Sequence, residues 1–318
     1  MAPADAGRWL WPALAAAVSL LLFLAPWLVP LLGVAASVAA PAPVAWQYRQ
    51  AGVFAGRLSL GLAILGAWLA NALFDVGGGW IYYLFYAALG LGLGECLARR
   101  LPDTWALGLA AAAAVAVLLA VTLGGALMGG QDLGLAWQAY WSQEVNGALG
   151  LYGSQPEVDA TRVEEVRQVL ISTGRWLYHL APGVLAAGAL LMAWANLILL
   201  RAIAARRDPQ APRQNLALWT APEPLVWVLI LAGAVMWASD GLLFWVGVNL
   251  VVILGVVYFF QGLAVMAYWL EKKNAPKLLR YGLYLLIAVE AFLAVGVALA
   301  GLFDLWFNFR RLGKESSA

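Results

Sequence analysis

Long apolar stretches, separated by short clusters of charged residues and prolines, make up most of the chain. The stretches without charge at 9–48, 104–131, 176–200 and 241–270 are each long enough for at least one membrane-spanning helix of about 20 residues. They are apolar on every side, whereas the strands of a membrane barrel alternate between apolar and polar positions. The pattern therefore predicts an all-α, polytopic integral membrane bundle.

Charges and prolines divide these stretches into about nine expected spans. Their approximate bounds are 9–26, 30–47, 53–74, 80–96, 104–128, 175–204, 224–238, 242–269 and 281–303. Pro26 and Pro30 separate the first two spans, because proline removes a backbone donor and obstructs a continuous helix. Pro41 and Pro43 either break the second span, with freed carbonyls that can line a site, or mark the start of a loop.

One acidic extramembrane segment, at about 129–173, lies within what we expect to be a single integral membrane domain over residues 1–318. The apolar residues that recur at helical spacing in its second half are Val163, Val166, Val169 and Leu170. This spacing predicts an amphipathic helix at 159–171, with Asp159 or Thr161 as its N-cap. We expect it on the membrane face or over the mouth of a cavity.

Composition supports a membrane location and excludes several kinds of site. The chain has 318 residues, of which 64% are hydrophobic and 11% charged, against about 45–50% and 25% in soluble domains. Cys96 and His179 are the single cysteine and histidine, so an internal disulfide and a zinc site of usual composition are excluded. The sequence also lacks phosphate-binding loops and nucleophile motifs. We expect no enzymatic activity, no cofactor, no metal site and no nucleic-acid partner.

Basic residues favour one orientation. With a cytoplasmic N-terminus, most of the 19 lysines and arginines fall in predicted cytoplasmic segments, as the positive-inside rule requires. We therefore expect a multi-pass protein of the bacterial cytoplasmic (inner) membrane. Nine spans would place Arg310 and Arg311 outside, so either the last helix overrides the charge bias or one segment is re-entrant and eight spans are present.

Glu290 is the one charge in the last predicted span. It follows Arg280 by ten residues, which places the carboxyl about 15 Å into a hydrocarbon layer about 30 Å thick. A lone carboxylate at that depth is costly. We expect Glu290 to face the bundle, protonated or paired with a polar residue such as Asn249, Gln261 or Asn196. Three interpretations stay open: a structural pairing, a direct role as a proton or cation carrier or an amine ligand, and a carboxyl shifted toward the membrane surface.

Two further groups of charged residues are candidates. Arg175 and His179 are four residues apart and so share a helix face, where they either receive an anionic ligand or anchor the helix at the headgroups. Asp304, Arg310 and Arg311 form a tail motif. The motif is consistent with an ion cluster, a lipid-phosphate or partner contact, or an interface anchor.

Several short motifs carry a family resemblance. They are FFQGLAV at 259–265, GLFD at 301–304, FRR at 309–311 and the early PAP at 41–43. With them, the chain resembles the YybS-like family of bacterial multi-pass membrane proteins over most of its length. That family is distantly similar to the S-components of energy-coupling-factor vitamin transporters and to the cell-shape protein MreD. The resemblance implies an S-component-like helical core, and a shared fold does not transfer an activity.

Two functional hypotheses follow. The first is a small-molecule-binding or transport-related membrane protein, with a pocket near the outer leaflet covered by the acidic segment. Its partners would be the lipid bilayer and, by the resemblance, a coupling subunit and an ATPase. The alternative is a non-transporting inner-membrane scaffold with an MreD-like role, which would bind envelope-assembly proteins.

Overall fold

The computed structural model describes residues 4–74, 79–153, 159–207 and 215–311. Every regular element in these ranges is helical. The helices are α1 (Ala4–Leu28), α2 (Pro30–Ser37), α3 (Pro41–Phe74), α4 (Trp80–Ala98), α5 (Asp103–Met128), α6 (Leu133–Gly153), α7 (Ala160–Arg207), α8 (Leu225–Ala238), α9 (Gly241–Lys272), α10 (Lys277–Val289) and α11 (Ala291–Phe307), with one 3-10 turn at Leu216–Leu218. The expected all-α polytopic membrane bundle is confirmed.

Six segments of the described chain are long and apolar enough to cross a membrane. They are Trp9–Leu28, Pro30–Phe74, Trp80–Ala98, Asp103–Met128, Ala160–Arg207 and Gly241–Lys272. The bent pair α10 and α11 makes a seventh if it is counted as one span, and the apolar helix α8 is shorter, at 14 residues. The number is below the nine expected because the second and third predicted spans form one segment and the seventh is short.

The break predicted near Pro41 lies just before it, at residues 38–40. Pro41 is the first residue of α3, a position that suits proline because the first N–H of a helix has no partner within the helix. The hypothesis that a loop begins at Pro41 is therefore wrong. A second interruption follows at Gly52, which has φ 85° and ψ 178° inside α3.

Small residues let the N-terminal helices pack closely. A Cβ atom at Gly92 of α4 would lie 2.6 Å from the Cα atom of Ala110 in α5, and one at Gly94 would lie 2.3 Å from the ring of Tyr48 in α3. Both distances are too short for a side chain. The glycines therefore set the spacing of α3, α4 and α5.

The acidic segment forms a helical hairpin from α6 and the first part of α7. The indole N–H groups of Trp137 and Trp141 donate to the carbonyls of Gly174 and Leu170, at 2.9 and 2.8 Å. Asp159 caps α7 as predicted, since its Oδ1 accepts the backbone N–H of Arg162 at 2.8 Å. With 48 residues, α7 is about 72 Å long, so it extends well beyond a bilayer.

One end of the bundle gathers basic residues, and we call it the basic end. Its contacts are the ion pair of Arg201 with Asp103, the ion pair of Arg57 with Glu95 at 2.7 Å, the guanidinium of Arg207 over the ring of Trp46 at 5.3 Å, and the hydrogen bond of Asn215 to Glu271 at 3.1 Å. These contacts join the C-terminal ends of α4, α7 and α9. The hairpin of α6 and α7 lies at the opposite end.

The last predicted span is two helices rather than one. Helices α10 and α11 meet at Glu290, where the chain is extended, and their axes differ by 107°. The expectation of one continuous helix through Glu290 is therefore wrong. Of these two helices, only α11 packs extensively against α9.

Candidate functional site

A cavity of about 470 Å³ lies among α7, α9, α10 and the chain segment before α8. Its lining consists of Trp194, Ile198, Trp219, Phe259, Phe260, Leu263, Ala264, Ala267, Tyr284, Ile287 and Ala288. We call it the aromatic cavity. No described residue of the acidic segment lines it. The expectation that the acidic segment covers the pocket is therefore wrong for this cavity, and α10 covers it instead.

The lining determines which chemistry the aromatic cavity favours. None of its eleven residues carries a formal charge, and five are aromatic. The rings of Trp194 and Phe260 are stacked, with centroids 4.8 Å apart and planes 7° apart. Such a surface gains free energy from burying apolar groups and from ring contacts. None of the lining residues carries a charge that could pair with a buried ion.

A buried ion pair fixes the wall behind the aromatic cavity. The guanidinium of Arg310 donates from Nε and Nη2 to Oδ2 of Asp304, at 3.1 and 2.7 Å. Its Nη1 donates to the carbonyls of Ala217 and Trp219, both at 2.8 Å. The side chain of Arg310 is fully buried. The tail motif therefore forms an ion cluster that holds the 3-10 turn and the non-helical residues after it, before α8, while Arg311 is exposed.

Gln261 completes this polar network from α9. Its Nε2 donates to Oδ2 of Asp304 at 3.2 Å, and its Oε1 accepts the N–H of Ala221 at 3.1 Å. Helices α9 and α11 pack closely enough for this contact, because a Cβ atom at Gly301 of α11 would lie 2.0 Å from the carbonyl oxygen of Tyr258 in α9. Gln261 thus satisfies the backbone of a non-helical segment rather than Glu290.

Three polar atoms in this wall have no hydrogen-bond partner among the described residues. They are Nε1 of Trp219, the hydroxyl oxygen of Tyr258 and Oδ1 of Asp304, and each has less than 1 Å² of accessible surface. Burying such an atom without a partner costs about 1–3 kcal/mol. Since these atoms do not border a space large enough for water, they present no polar group to a ligand in the cavity.

The opposite side of the cavity depends on α10. Among the residues of α10, all of which are described, Ile287 alone is buried. Arg280 holds the start of the helix: its Nε donates to the carbonyl of Ala275 at 2.9 Å and its Nη2 to that of Leu270 at 3.2 Å. Leu270 is in the last turn of α9, where carbonyls have no partner within the helix. Arg280 therefore joins α10 to the end of α9.

Glu290 does not lie where the sequence predicts. Its side chain is exposed and forms no hydrogen bond with the first turn of α11, which it precedes. Neither Asn249, Gln261 nor Asn196 contacts it through a hydrogen bond among the described residues. The expectation that Glu290 faces the bundle is wrong, because the chain bends at this residue and turns it outward.

Asn249 of α9 forms hydrogen bonds with the backbone of α7. Its Nδ2 donates to the carbonyl of His179 at 2.8 Å, and its Oδ1 accepts the N–H of Gly183. These are the two groups that an undistorted helix would join to each other, and Pro182 lies next to them. The amide of Asn249 thus bonds to both backbone groups beside Pro182 and satisfies them.

Asn196 and Ser19 hold the break at residues 38–40. Nδ2 of Asn196 donates to the carbonyl of Val38 at 2.8 Å. The hydroxyl of Ser19 donates to the carbonyl of Ala40 at 2.6 Å and is 2.8 Å from the hydroxyl of Tyr83. Carbonyls freed inside a membrane need such partners. We call residues 38–40 with these side chains the clasped break.

Arg175 and His179 lie on the surface near the other end of the molecule. Both are exposed, and the imidazole of His179 is stacked on Trp245, with ring centroids 4.6 Å apart. Aromatic and basic residues at such a position are typical of a helix anchored at the headgroups. Neither residue lines the aromatic cavity.

Sequence reasoning missed the residues that line the cavity. The positions on α9, at Phe260, Leu263, Ala264 and Ala267, have the spacing of one helix face, so a signal was present. The same spacing occurs on any packed helix, and nothing in it distinguishes a cavity wall from core. Within the described residues, no three His, Cys, Asp or Glu side chains are grouped to hold a metal ion.

Comparisons with known proteins identify a family and no individual relative. A family model described as "Predicted membrane protein (DUF2232)" matches residues 17–305, which is most of the chain. The chain therefore belongs to the DUF2232 family. No curated protein and no solved structure matches it significantly. The resemblance to YybS-like proteins, S-components and MreD stays a prediction.

Proposed function

We propose that this member of the DUF2232 family binds a small, uncharged, apolar molecule in the aromatic cavity. The observation that carries the proposal is the cavity itself, with a volume of about 470 Å³ and a lining without charge. Ligand sites typically have about 300–1,000 Å³ and mostly apolar walls. The role is one of binding, and the residues that would do it are the aromatic ones, above all Trp194 and Phe260.

We further propose that the protein lies in the bacterial inner membrane with the basic end in the cytoplasm. The arginines and lysines of the described residues that support this are Arg49, Arg57, Arg99, Arg100, Arg201, Arg206, Arg207, Lys272, Lys273 and Lys277. Cytoplasmic loops carry such an excess. In this orientation the aromatic cavity lies in the inner half of the bilayer, and the α6 and α7 hairpin lies outside.

The proposal is tested by filling the cavity. In Ala267→Phe, an added ring would occupy the space that Ala267 lines. Ala113→Phe is the matched control, since Ala113 is a half-buried alanine of α5 that does not line the cavity. Protein purified in native lipid discs is analysed by native mass spectrometry. We expect a bound mass in the unchanged protein and in Ala113→Phe, and its loss in Ala267→Phe.

Two results would contradict the proposal. One is a protein that carries no bound mass after gentle purification. The other is a mass retained equally by Ala267→Phe and Ala113→Phe, which would place the ligand elsewhere on the protein.

The α6 and α7 hairpin favours a second candidate function, a scaffold for envelope-assembly proteins. It extends from the bundle and exposes apolar side chains, with Leu135 at 66% and Leu151 at 78% of full exposure. Exposed apolar residues on an extramembrane surface are typical of contact sites. Affinity purification in mild detergent would distinguish the roles, since envelope proteins would support a scaffold and an ATPase with a coupling subunit would support transport.

A further inference from the structure

The side of the aromatic cavity formed by α10 differs from its other walls. Helices α7 and α9 pack against neighbours along their length, and the segment before α8 is fixed by Arg310. In contrast, α10 is only 13 residues long and has one buried residue, Ile287. Its contribution to the cavity comes from Tyr284, Ile287 and Ala288. A helix this lightly packed has a low free energy of local opening.

Both ends of α10 allow it to move as a unit. Before it, the chain turns at Asn274, which has φ 49°, and reaches Pro276, the residue preceding the helix. After it, Glu290 is extended and its side chain forms no cap. Chain junctions of this kind absorb changes in φ and ψ when a helix swings.

The outer face of α10 is apolar and meets the membrane. Leu278 is 86%, Leu285 66% and Val289 72% exposed. In a protein that spans a membrane, a helix with this exposed face lies in contact with lipid. Among the described elements, therefore, α10 alone separates the aromatic cavity from the hydrocarbon on the side that α10 forms.

We infer that α10 is a lid and that the ligand is a bilayer-dissolved molecule, which enters the aromatic cavity sideways beneath α10 rather than from water. This inference rests on the proposed function for the identity of the site. The two hydrogen bonds of Arg280, to the carbonyls of Leu270 and Ala275, hold the lid closed. A cavity without charged residues suits a molecule that partitions into lipid and has no need of a polar path.

The test measures access without using any ligand. In a Cys96→Ala background, Ala264→Cys places a thiol on the cavity wall, and Leu135→Cys places one at an exposed extramembrane position. Each variant in lipid discs is treated with uncharged benzyl maleimide or with a sulfonated maleimide. We expect the cavity thiol to react at least about tenfold faster with the uncharged reagent, once each rate is divided by that of Leu135→Cys.

Removing the two hydrogen bonds of Arg280 should open the lid. Adding Arg280→Ala removes two hydrogen bonds from a charged group, and even one such loss corresponds to about tenfold, so the benzyl maleimide rate at Ala264→Cys should rise by at least about tenfold. Lys277→Ala is the matched control on the same helix, and it should leave the rate unchanged. Ala193→Cys places a thiol in the core between α4, α5 and α7. It should stay unreactive with and without Arg280→Ala, and this result would show that Arg280→Ala has not unfolded the bundle.

Each outcome decides the inference. Faster reaction of the cavity thiol with the sulfonated reagent would overturn entry from the bilayer, and an Arg280→Ala rate equal to that of Lys277→Ala would overturn the lid. Failure of the proposed function is separate, because it appears as the absence of a bound mass in native mass spectrometry whatever the labelling rates are.

Discussion

Two helix breaks inside the membrane region differ in how their ends are held. At the clasped break, Asn196 and Ser19 donate hydrogen bonds to the carbonyls of Val38 and Ala40, and both side chains are about 1% exposed. At Glu290, between α10 and α11, no side chain caps either helix and the carboxyl is exposed. We call the second one the open break.

A break or a charge in an apolar sequence therefore does not itself mark a functional site. A clasped break is fixed, because every freed carbonyl that loses its partner costs about 1–3 kcal/mol. An open break has no such restraint and permits the adjoining helix to move. The open break is next to the aromatic cavity, whereas the clasped break is in the packed core.

The largest expected effect concerns Arg310, which bonds to Asp304 near the C-terminal end of α11. Arg310→Met leaves the carboxylate of Asp304 buried without its partner, and we expect it to lower the free energy of unfolding by about 3–5 kcal/mol. Arg311→Met, one residue further and exposed, is the control. Unfolding in mixed micelles followed by circular dichroism measures both.

A double variant sharpens this result. Asp304→Leu with Arg310→Met removes both charges, so it should cost less than Arg310→Met alone. An equal or greater loss in the double variant would mean that the ion pair itself, rather than a stranded charge, stabilises the wall.

The clasped break is tested next through Asn196→Leu. Leucine has a similar size but cannot donate to the carbonyl of Val38, so we expect a loss of about 1–3 kcal/mol in the free energy of unfolding. Gln138→Leu, which changes an exposed carboxamide of α6, should be close to neutral. A neutral Asn196→Leu would show that the break needs no clasp.

Ser19→Ala should have a smaller effect at the same break. It removes the donor to the carbonyl of Ala40 and the contact with the hydroxyl of Tyr83, so we expect a loss of about 1 kcal/mol. Ser142→Ala is the matched control, since Ser142 is exposed and bonds to a carbonyl of its own helix. Equal effects in the two variants would contradict a clasping role for Ser19.

The smallest effect is expected at the open break. Glu290→Gln removes the charge from an exposed side chain with no capping bond, and surface changes of this kind usually stay within about 0.5 kcal/mol. The same unfolding measurement checks it. A loss above about 1 kcal/mol would mean that Glu290 has a partner that holds the break.

Sequence reasoning predicted the fold class and the polar residues but not their environments. Apolar runs identified the helices because a membrane requires continuous apolar segments of known length. Pro41 and Pro43 indicated the first break correctly to within a few residues. The bend at Glu290 could not be predicted, because no proline or glycine is next to it.

The candidate site was predicted only in part. Gln261, Asp304 and Arg310 were identified as candidates, and the structure brings these three together. Glu290 is separated from them by the bend, and Asn249 bonds instead to the backbone of α7 beside Pro182. The cavity depends on the space left between helices, which apolar spacing on one helix does not determine.

We expect α10 to move at the open break while the clasped break stays fixed. Double electron–electron resonance in lipid discs measures this, with nitroxide pairs in a Cys96→Ala background. The first pair joins Leu279 of α10 to Leu199 of α7. The second joins Val34 of α2 to Leu65 of α3, and all four positions are exposed. We predict a broad or two-component distance distribution for the first pair, which narrows in the ligand-bound protein, and one narrow component for the second. Two equally narrow distributions would contradict the account.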